Sequence, residues 1–106
     1  DVLVNDIDNI PQPVMVIDKD FNVLFLNKRG KRLGGSDAEG KKCYDVFKTS
    51  DCQTERCACA RAMRSLQEET SETDAHPGGL DLEIEYHALP VVNKQGKAVG
   101  ALELVI

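Results

Sequence analysis

Two short apolar runs, residues 14–17 and 21–26, dominate the hydrophobic pattern near the start of the chain. They are rich in β-branched and aromatic residues, and the polar triplet Asp18-Lys19-Asp20 separates them. Runs this short and apolar predict two strands joined in an antiparallel hairpin. Because the runs are continuous rather than alternating, we expect both faces of the hairpin to be covered.

The segment before the hairpin has a different period. Leu3, Ile7 and Ile10 fall at helical spacing and predict a short amphipathic helix over residues 1–10. This flanking helix would pack on the outer face of the sheet or against a second subunit, which makes its three apolar residues the expected dimer contact.

The middle of the chain predicts helices. Asn27 is placed to cap a short helix over residues 28–33, and a second short helix is predicted over residues 41–47. A longer helix is predicted over residues 55–67, where Cys59, Ala62, Met63 and Leu66 form one apolar stripe.

The last third of the chain returns to strand patterns. Apolar and charged residues alternate over residues 80–88, a second apolar strand is predicted over residues 97–106, and residues 70–75 predict a polar edge strand. Strands and helices are therefore segregated along the chain. This order predicts an α+β fold with one antiparallel sheet carrying helices on one face.

Length and charge narrow the class of protein. A chain of 106 residues is long enough for one domain with a single core. The net charge of -5 argues against a nucleic-acid partner, although several Lys and Arg residues cluster after Asn27.

No run reaches the length of a membrane span, and no signal peptide is visible, so no membrane contact is expected. The chain starts without Met and stops within an apolar run, from which we expect a fragment of a longer signalling protein.

Four segments together resemble a PAS domain, the sensory module of bacterial and archaeal kinases and chemoreceptors. The resemblance covers nearly the whole chain and is closest to the PAS modules of methyl-accepting chemotaxis proteins and related sensor histidine kinases. The segments that carry it are residues 9–14 (Asn-Ile-Pro-Gln-Pro-Val), 40–47 (Gly-Lys-Lys-Cys-Tyr-Asp-Val-Phe), 49–52 and 100–103 (Gly-Ala-Leu-Glu).

The resemblance implies a single PAS domain over residues 1–106, with a five-stranded antiparallel sheet, short helices and one longer helix. It implies a sensory module rather than an enzyme, and no oxyanion-hole loop or Gly-rich phosphate cradle is evident. A homodimer and an attached signalling domain are the implied partners. The implied location is cytoplasmic, either as a cytoplasmic protein or as the cytoplasmic part of a membrane-bound receptor.

The family binds small molecules between its sheet and its helices, which implies a pocket in this chain as well. The alternative is an ordinary filled core, since apolar periodicity does not distinguish a cavity from packed side chains. The residues expected to line the pocket are Val23, Phe25, Cys43, Tyr44, Phe47, Cys59, Met63, Leu82, Ile84, Tyr86, Leu102 and Leu104.

The ligand is unknown from sequence, but two familiar cofactors fit poorly. Haem needs an axial ligand, and no His occurs between residues 28 and 67. A covalent flavin needs a Cys in an Asn-Cys-Arg-Phe type motif, and the Cys residues of this chain have other neighbours. His76 and His87 are interpreted as ordinary surface histidines.

Four cysteines lie close together in the sequence, at positions 43, 52, 57 and 59. Their spacing lacks the paired Cys-x-x-Cys signature of zinc and iron-sulfur sites, and residues 57 and 59 would stand about 200° apart on a helix that begins at residue 55. Three interpretations stay open: small core residues, a redox pair formed by Cys52 and Cys57, or a metal or iron-sulfur site that uses all four sulfurs.

Three functions follow from these observations. The first is a sensor that binds a small molecule or responds to redox state and relays the change to an attached chemoreceptor or kinase output domain. The second is a ligand-free dimerisation and relay module. The third is a cysteine-based metal or iron-sulfur sensor.

Overall fold

A computed structural model describes residues 6–106, which form one five-stranded antiparallel sheet in the order β2-β1-β5-β4-β3. The predicted α+β class and the predicted sheet are confirmed. The strands are β1 (Val14–Asp18), β2 (Val23–Leu26), β3 (Glu69–Ala75), β4 (Leu82–Val92) and β5 (Ala98–Val105). The helices are α1 (Lys28–Gly34), α2 (Cys43–Val46) and α3 (Ala58–Ser65), with a 3₁₀ turn at Pro77–Gly79.

The longer helix begins later than the sequence predicts. Helix α3 starts at Ala58 rather than at residue 55, because Cys57 has extended backbone angles and is the N-cap. It ends at Ser65, since Leu66 takes a left-handed conformation with φ 59°. The position of Cys57 just outside the helix invalidates the expected 200° separation of Cys57 and Cys59.

The central strand β5 joins the two halves of the sheet. It pairs with β1 on one side and with β4 on the other, so the N-terminal hairpin and the C-terminal strands meet along it. Gly100 makes this close approach possible, because a Cβ atom there would collide with the carbonyl oxygen of Ile17.

The sheet has an inner face against the helices and an outer face away from them. Met15 and Glu103 are cross-strand partners that both line a cavity under the helices, so their neighbours in sequence point outward. This corrects three predicted pocket residues: Phe25, Leu102 and Leu104 lie on the outer face. Continuous apolar runs concealed the alternation, because both faces of these strands carry apolar side chains.

The outer face carries an apolar row across four strands. Phe25 pairs with Val16, Val16 with Leu102, and Leu102 with Leu89. Leu89 is 43% exposed, while the other three side chains are half-buried. Other apolar side chains of the strands are exposed as well, among them Leu24, Val92 and Val99.

The predicted flanking helix is described only in part. Residues 6–8 are helical, and Ile7 and Ile10 are half-buried, whereas Leu3 lies outside the described residues. No helix in the described part of the chain is both long and apolar enough to cross a membrane.

Asn27 ties the start of the domain to the first helix. Its side-chain oxygen accepts hydrogen bonds from the backbone N–H groups of Val14 and Gly30, both at 2.9 Å. Its amide group donates to the carbonyl oxygens of Ile7 and Gln12. The residue is fully buried, so this one side chain caps α1 and fixes the strand and the N-terminal segment together.

We expect Asn27→Ala to lower the free energy of unfolding by about 3 kcal/mol, because it removes a helix cap and leaves buried backbone groups without partners. Urea denaturation followed by far-UV circular dichroism measures the change. Asn93→Ala is the matched control, since Asn93 makes two similar hydrogen bonds in an exposed turn, and its cost should stay below about 1 kcal/mol. Equal losses in the two variants would contradict the assigned role of Asn27.

Candidate functional site: a cysteine-lined cavity

Two adjoining cavities lie at the segment from α2 to α3, and the inner one also borders the inner face of the sheet. The inner cavity has a volume of about 30 Å³, the space of roughly one water molecule. The outer cavity is wider, at about 320 Å³. Cys43, Cys52 and Cys57 line both cavities, and Cys59 lines the inner one. The structure therefore brings all four predicted cysteines to one site.

The loop between α2 and α3 is held by a buried carboxylate. Asp51 is 4% exposed and accepts hydrogen bonds from the hydroxyl groups of Ser71 and, at 2.9 Å, Tyr86. Its other oxygen forms an ion pair with Arg56 at 3.3 Å. The Tyr86 hydroxyl in turn accepts the N–H of Ala58 at 3.1 Å. One residue thus connects the loop to β3, to β4 and to the start of α3.

Cys52 lies in a tight turn of that loop. Its sulfur accepts a hydrogen bond from the Thr49 N–H at 3.3 Å and contacts the Thr49 hydroxyl at 3.2 Å. Burial raises the pKa of the Cys52 thiol, and the hydrogen bonds with Thr49 oppose this rise. Lys48 and Gln53 on either side have left-handed backbone angles, with φ 51° and 59°.

Cys57 differs from the other three thiols. The neighbouring Cys59 side chain lowers the pKa of Cys57 to about 6, and the backbone at Ala60 and Cys59, at the start of α3, adds to the effect against the opposing effect of burial. The N-terminus of a helix stabilises a thiolate in this way. Cys57 is therefore the one cysteine of the four whose pKa is lowered.

Cys59 and Glu103 lie behind Cys57. The Cys59 thiol is 2% exposed and lies 3.3 Å from a carboxylate oxygen of Glu103. The neighbouring Cys57 side chain raises the pKa of the Cys59 thiol well above its usual value, and burial adds to the rise. Burial also raises the pKa of Glu103 to about 7; although the residue is half-buried overall, its carboxyl group is enclosed by protein atoms.

Cys43 completes the cluster from the start of α2. Burial raises the pKa of its thiol strongly, so it stays protonated at neutral pH. Among the described residues that line the inner cavity, none is Lys, Arg or His. The site is thus rich in sulfur and carboxyl groups and has no cationic side chain of its own.

The predicted pocket agrees with the cavities in part. Six of its members line one or both cavities: Cys43, Tyr44, Phe47, Cys59, Ile84 and Tyr86. Val23, Met63 and Leu82 line neither; Val23 is fully buried and Met63 packs against the core. Whether any ligand contacts the six is still a prediction.

Sequence reasoning missed Glu103 and Asp51. Glu103 is an acid at an inward position of an otherwise apolar strand, and this break in the pattern was the available signal. Asp51 had no comparable signal, because a buried carboxylate in a polar loop looks like any exposed turn residue.

No group of three or more His, Cys, Asp or Glu side chains in the described residues is arranged to hold a metal ion. His76 and His87 lie away from the two cysteine-lined cavities. Each contacts two carboxylates that raise its pKa; Asp74 has the larger effect on His76, and Glu85 has the larger effect on His87. A wider depression of about 510 Å³ lies over β3 and β4, and its lining is largely acidic.

Residues 7–106 match the family described as PAS fold. The chain belongs to the PAS family. The match confirms the resemblance to a PAS domain seen in the sequence. PAS domains are generally sensory rather than catalytic modules. No curated protein matches the chain by sequence search.

Solved PAS domains have the same fold. The PAS domain of nitrogen regulation protein NR(II) from Vibrio parahaemolyticus is similar with a TM-score of 0.81 at 12% identity, over 100% of this chain and 97% of that one. A PAS domain from Colwellia psychrerythraea gives 0.82 at 20% identity, over 100% and 96%. A sensory box sensor histidine kinase from Vibrio cholerae gives 0.71 at 14% identity, over 98% and 87%. At such identities the likeness shows the fold alone.

We expect Tyr86→Phe to lower the free energy of unfolding of the PAS domain by about 1 to 3 kcal/mol, because Asp51 loses a donor and the buried Ala58 N–H loses its acceptor. Thermal and urea melts measure the change. Tyr44→Phe is the control, since the Tyr44 hydroxyl has no hydrogen-bond partner among residues 6–106. A larger loss at Tyr44 than at Tyr86 would show that the hydroxyl network does not hold the loop.

Proposed function

We propose that this PAS domain senses redox state, or a small molecule, at its cysteine-lined cavity and relays the change to an attached chemoreceptor or histidine kinase output domain. One observation carries the proposal: thiols from α2, from the following loop and from the start of α3 line the same cavity. A change at the sulfurs would therefore be felt by every element that borders the cavity.

The loop favours Cys52 and Cys57 as the redox pair. The Asp51–Arg56 ion pair closes the loop on itself, and Arg56 also donates to the Ser50 carbonyl oxygen at 2.8 Å. Cys52 and Cys57 also line the same two cavities, which supports their choice as the pair. Cys59 is fully buried, which makes it the least accessible of the four.

The same loop supplies a route for relay. Asp51 precedes Cys52 directly, and its carboxylate contacts the hydroxyl of Tyr86 on β4. A disulfide would pull on this carboxylate and on Arg56, and so shift the contacts between α3 and the sheet. A ligand in the outer cavity would act in the same way, because it would stabilise either the present contacts between α3 and the sheet or the shifted ones.

Oxidation is expected to join Cys52 to Cys57 and to change amide hydrogen exchange at the start of α3 and in β4 around Tyr86. The experiment oxidises the domain mildly, maps the thiols by differential alkylation and mass spectrometry, and compares exchange before and after. Cys52→Ser, treated identically, should show no change in exchange. The proposal would be contradicted if Cys43 and Cys59 lost their reactivity toward the alkylating reagent before Cys52 and Cys57 did. It would also be contradicted if oxidation left amide hydrogen exchange in the parent protein unaltered.

Native mass spectrometry on protein purified without oxygen separates the related alternatives. A retained organic molecule would favour ligand binding at the outer cavity. Stoichiometric zinc or iron that is lost on chelation would favour the metal sensor, with the four sulfurs as ligands, and would contradict a free thiol pair.

A ligand-free dimerisation module is the second candidate, and the apolar row on the outer face favours it. Covering Leu89 and its three partners would remove apolar surface from water, which is the usual basis of subunit association. We expect Leu89→Asp, and deletion of residues 1–10, to shift the molecular mass measured by size-exclusion chromatography with light scattering from dimer to monomer. Glu85→Lys, on the same strand and face, is the control and should leave the mass unchanged. A monomeric parent would exclude this candidate.

A further inference from the structure

His76 contacts a carboxylate through each of its ring nitrogens. Nε2 lies 2.7 Å from an Asp74 oxygen, and Nδ1 lies 2.8 Å from an Asp81 oxygen. A neutral imidazole has one N–H donor and one acceptor nitrogen, so it can donate to only one of these carboxylates. Both contacts are hydrogen bonds only when the ring carries two protons, which makes it an imidazolium that bridges two carboxylates.

His87 repeats this arrangement. Its Nδ1 lies 2.9 Å from Glu68 and its Nε2 lies 3.0 Å from Glu85. Two separate histidines therefore form the same kind of double bridge. The carboxylates raise the pKa of both rings, most strongly Asp74 for His76 and Glu85 for His87, which agrees with the geometry.

The two bridges lie at opposite ends of the hairpin formed by β3 and β4. The His76 bridge joins the end of β3 to the residue before β4, and the His87 bridge joins the residue before β3 to β4 itself. Strand β3 is an edge strand that pairs with β4 alone. Each histidine therefore fastens one end of the edge strand to the sheet.

Between the two bridges, acidic side chains lie directly opposite each other. Glu72 is the cross-strand partner of Glu85, and Asp74 is the partner of Glu83. Like charges in such positions destabilise strand pairing. Neither strand contains Lys or Arg, so the strands themselves supply no permanent positive charge that would offset the repulsion.

The elements packed around the hairpin add few contacts to the two rings. Arg61 on α3 is paired with a carboxylate at the start of β3, at 2.8 Å. At the end of α2, the Phe47 carbonyl oxygen accepts the backbone N–H of His76 at 2.9 Å, and on β5 Leu104 is the cross-strand partner of His87. Within residues 6–106, the charged side chains that contact the two rings are the four bridging carboxylates.

We propose that His76 and His87 are acid-dependent clamps that hold the edge strand β3 on the sheet, and that the strand loosens when the pH rises and both rings lose a proton. The clamps act independently of the redox chemistry of the cysteines. Each bridge is partly exposed, and a single exposed ion pair contributes little to stability. Two bridges on one seven-residue strand act together, and they offset the repulsion between its opposed carboxylates.

The direction of the pH dependence follows from the raised histidine pKa values. In an unfolded chain a histidine has its ordinary pKa of about 6.5. The clamps therefore stabilise β3 fully below that pH, and their contribution is lost as the pH rises through the folded-state pKa of each ring. Asp74 stays ionised throughout, because the neighbouring Ser50 side chain and His76 lower its pKa to about 2.

The edge strand also supports the cysteine loop. Ser71 on β3 donates a hydrogen bond to the buried carboxylate of Asp51, the residue before Cys52. A loosened β3 weakens this contact, so pH becomes a second input that reaches the same loop as the cysteines.

The first test measures both histidine pKa values by NMR titration of the ring signals. Both should lie above the ordinary value of about 6.5. Asp81→Asn should lower the pKa of His76 alone, and Glu68→Gln should lower that of His87 alone. Values at or below the ordinary pKa, or equal shifts at both rings in either variant, would overturn the clamps.

The second test measures amide hydrogen exchange at about pH 6 and about pH 8, with each rate divided by the intrinsic rate at the same pH. In the parent, protection of the hydrogen-bonded β3 amides should fall at the higher pH, by about tenfold for each unit by which a clamp pKa is raised. A double variant with His76→Gln and His87→Gln should show low protection of β3 at both pH values.

Cys57 and Glu103 have pKa values of about 6 and about 7, and both residues remain in the double variant. A double variant that kept the parent's full loss of β3 protection would therefore assign that loss to other groups and overturn the clamps. Should the double variant fail to fold, each single variant should lose protection at its own end of β3, and a uniform loss would contradict the proposal.

These results are distinguishable from those of the redox experiment. A pH-dependent β3 in a domain whose hydrogen exchange does not respond to thiol oxidation would uphold the clamps and contradict the redox relay. Oxidation that alters exchange around Tyr86, combined with equal β3 protection at the two pH values, would uphold the relay and overturn the clamps.

Discussion

The buried carboxylate of Asp51 is the interaction on which the arrangement of the site depends. A carboxylate with so little exposure is tolerated only when hydrogen bonds and an opposite charge compensate for its lost hydration. Ser71, Tyr86 and Arg56 provide that compensation, and each belongs to a different segment. The hydrogen bonds and the ion pair of this one carboxylate therefore hold the cysteine loop in position, rather than apolar packing.

A second buried polar side chain performs the same task at the other end of the domain. Asn27 fixes the first helix to the first strand, and Asn27 and Asp51 lie before and after the segment that contains α1 and α2. The elements between these two anchors are short, and short helices gain little stability on their own. Polar anchors of this kind hold a segment in place while leaving room for cavities beside it.

The sequence was sufficient for the fold and insufficient for the site, and particular residues show why. Strand alternation, the Asn27 cap and the order of elements are local signals, and they predicted the sheet and helix α1 correctly. The inward face of β2 and β5 was misassigned at Phe25, Leu102 and Leu104, because apolar residues on both faces hide the alternation. The pairing of Cys59 with Glu103 joins residues 44 positions apart, and no local pattern encodes such a contact. The late start of α3 had the largest effect, since it moved Cys57 from a helix surface to a helix cap.

The left-handed residues around the cysteines have a mechanical consequence. Lys48, Gln53 and Leu66 hold this backbone conformation without being glycine, which costs each of them about 1 kcal/mol. Two of them flank Cys52 and the third ends the helix that Cys57 begins. The Asp51 contacts therefore hold this segment in a conformation that carries backbone strain. Rearrangement of the segment would relieve that strain once the contacts weaken, so it would cost less free energy than rearrangement of a relaxed loop of the same length.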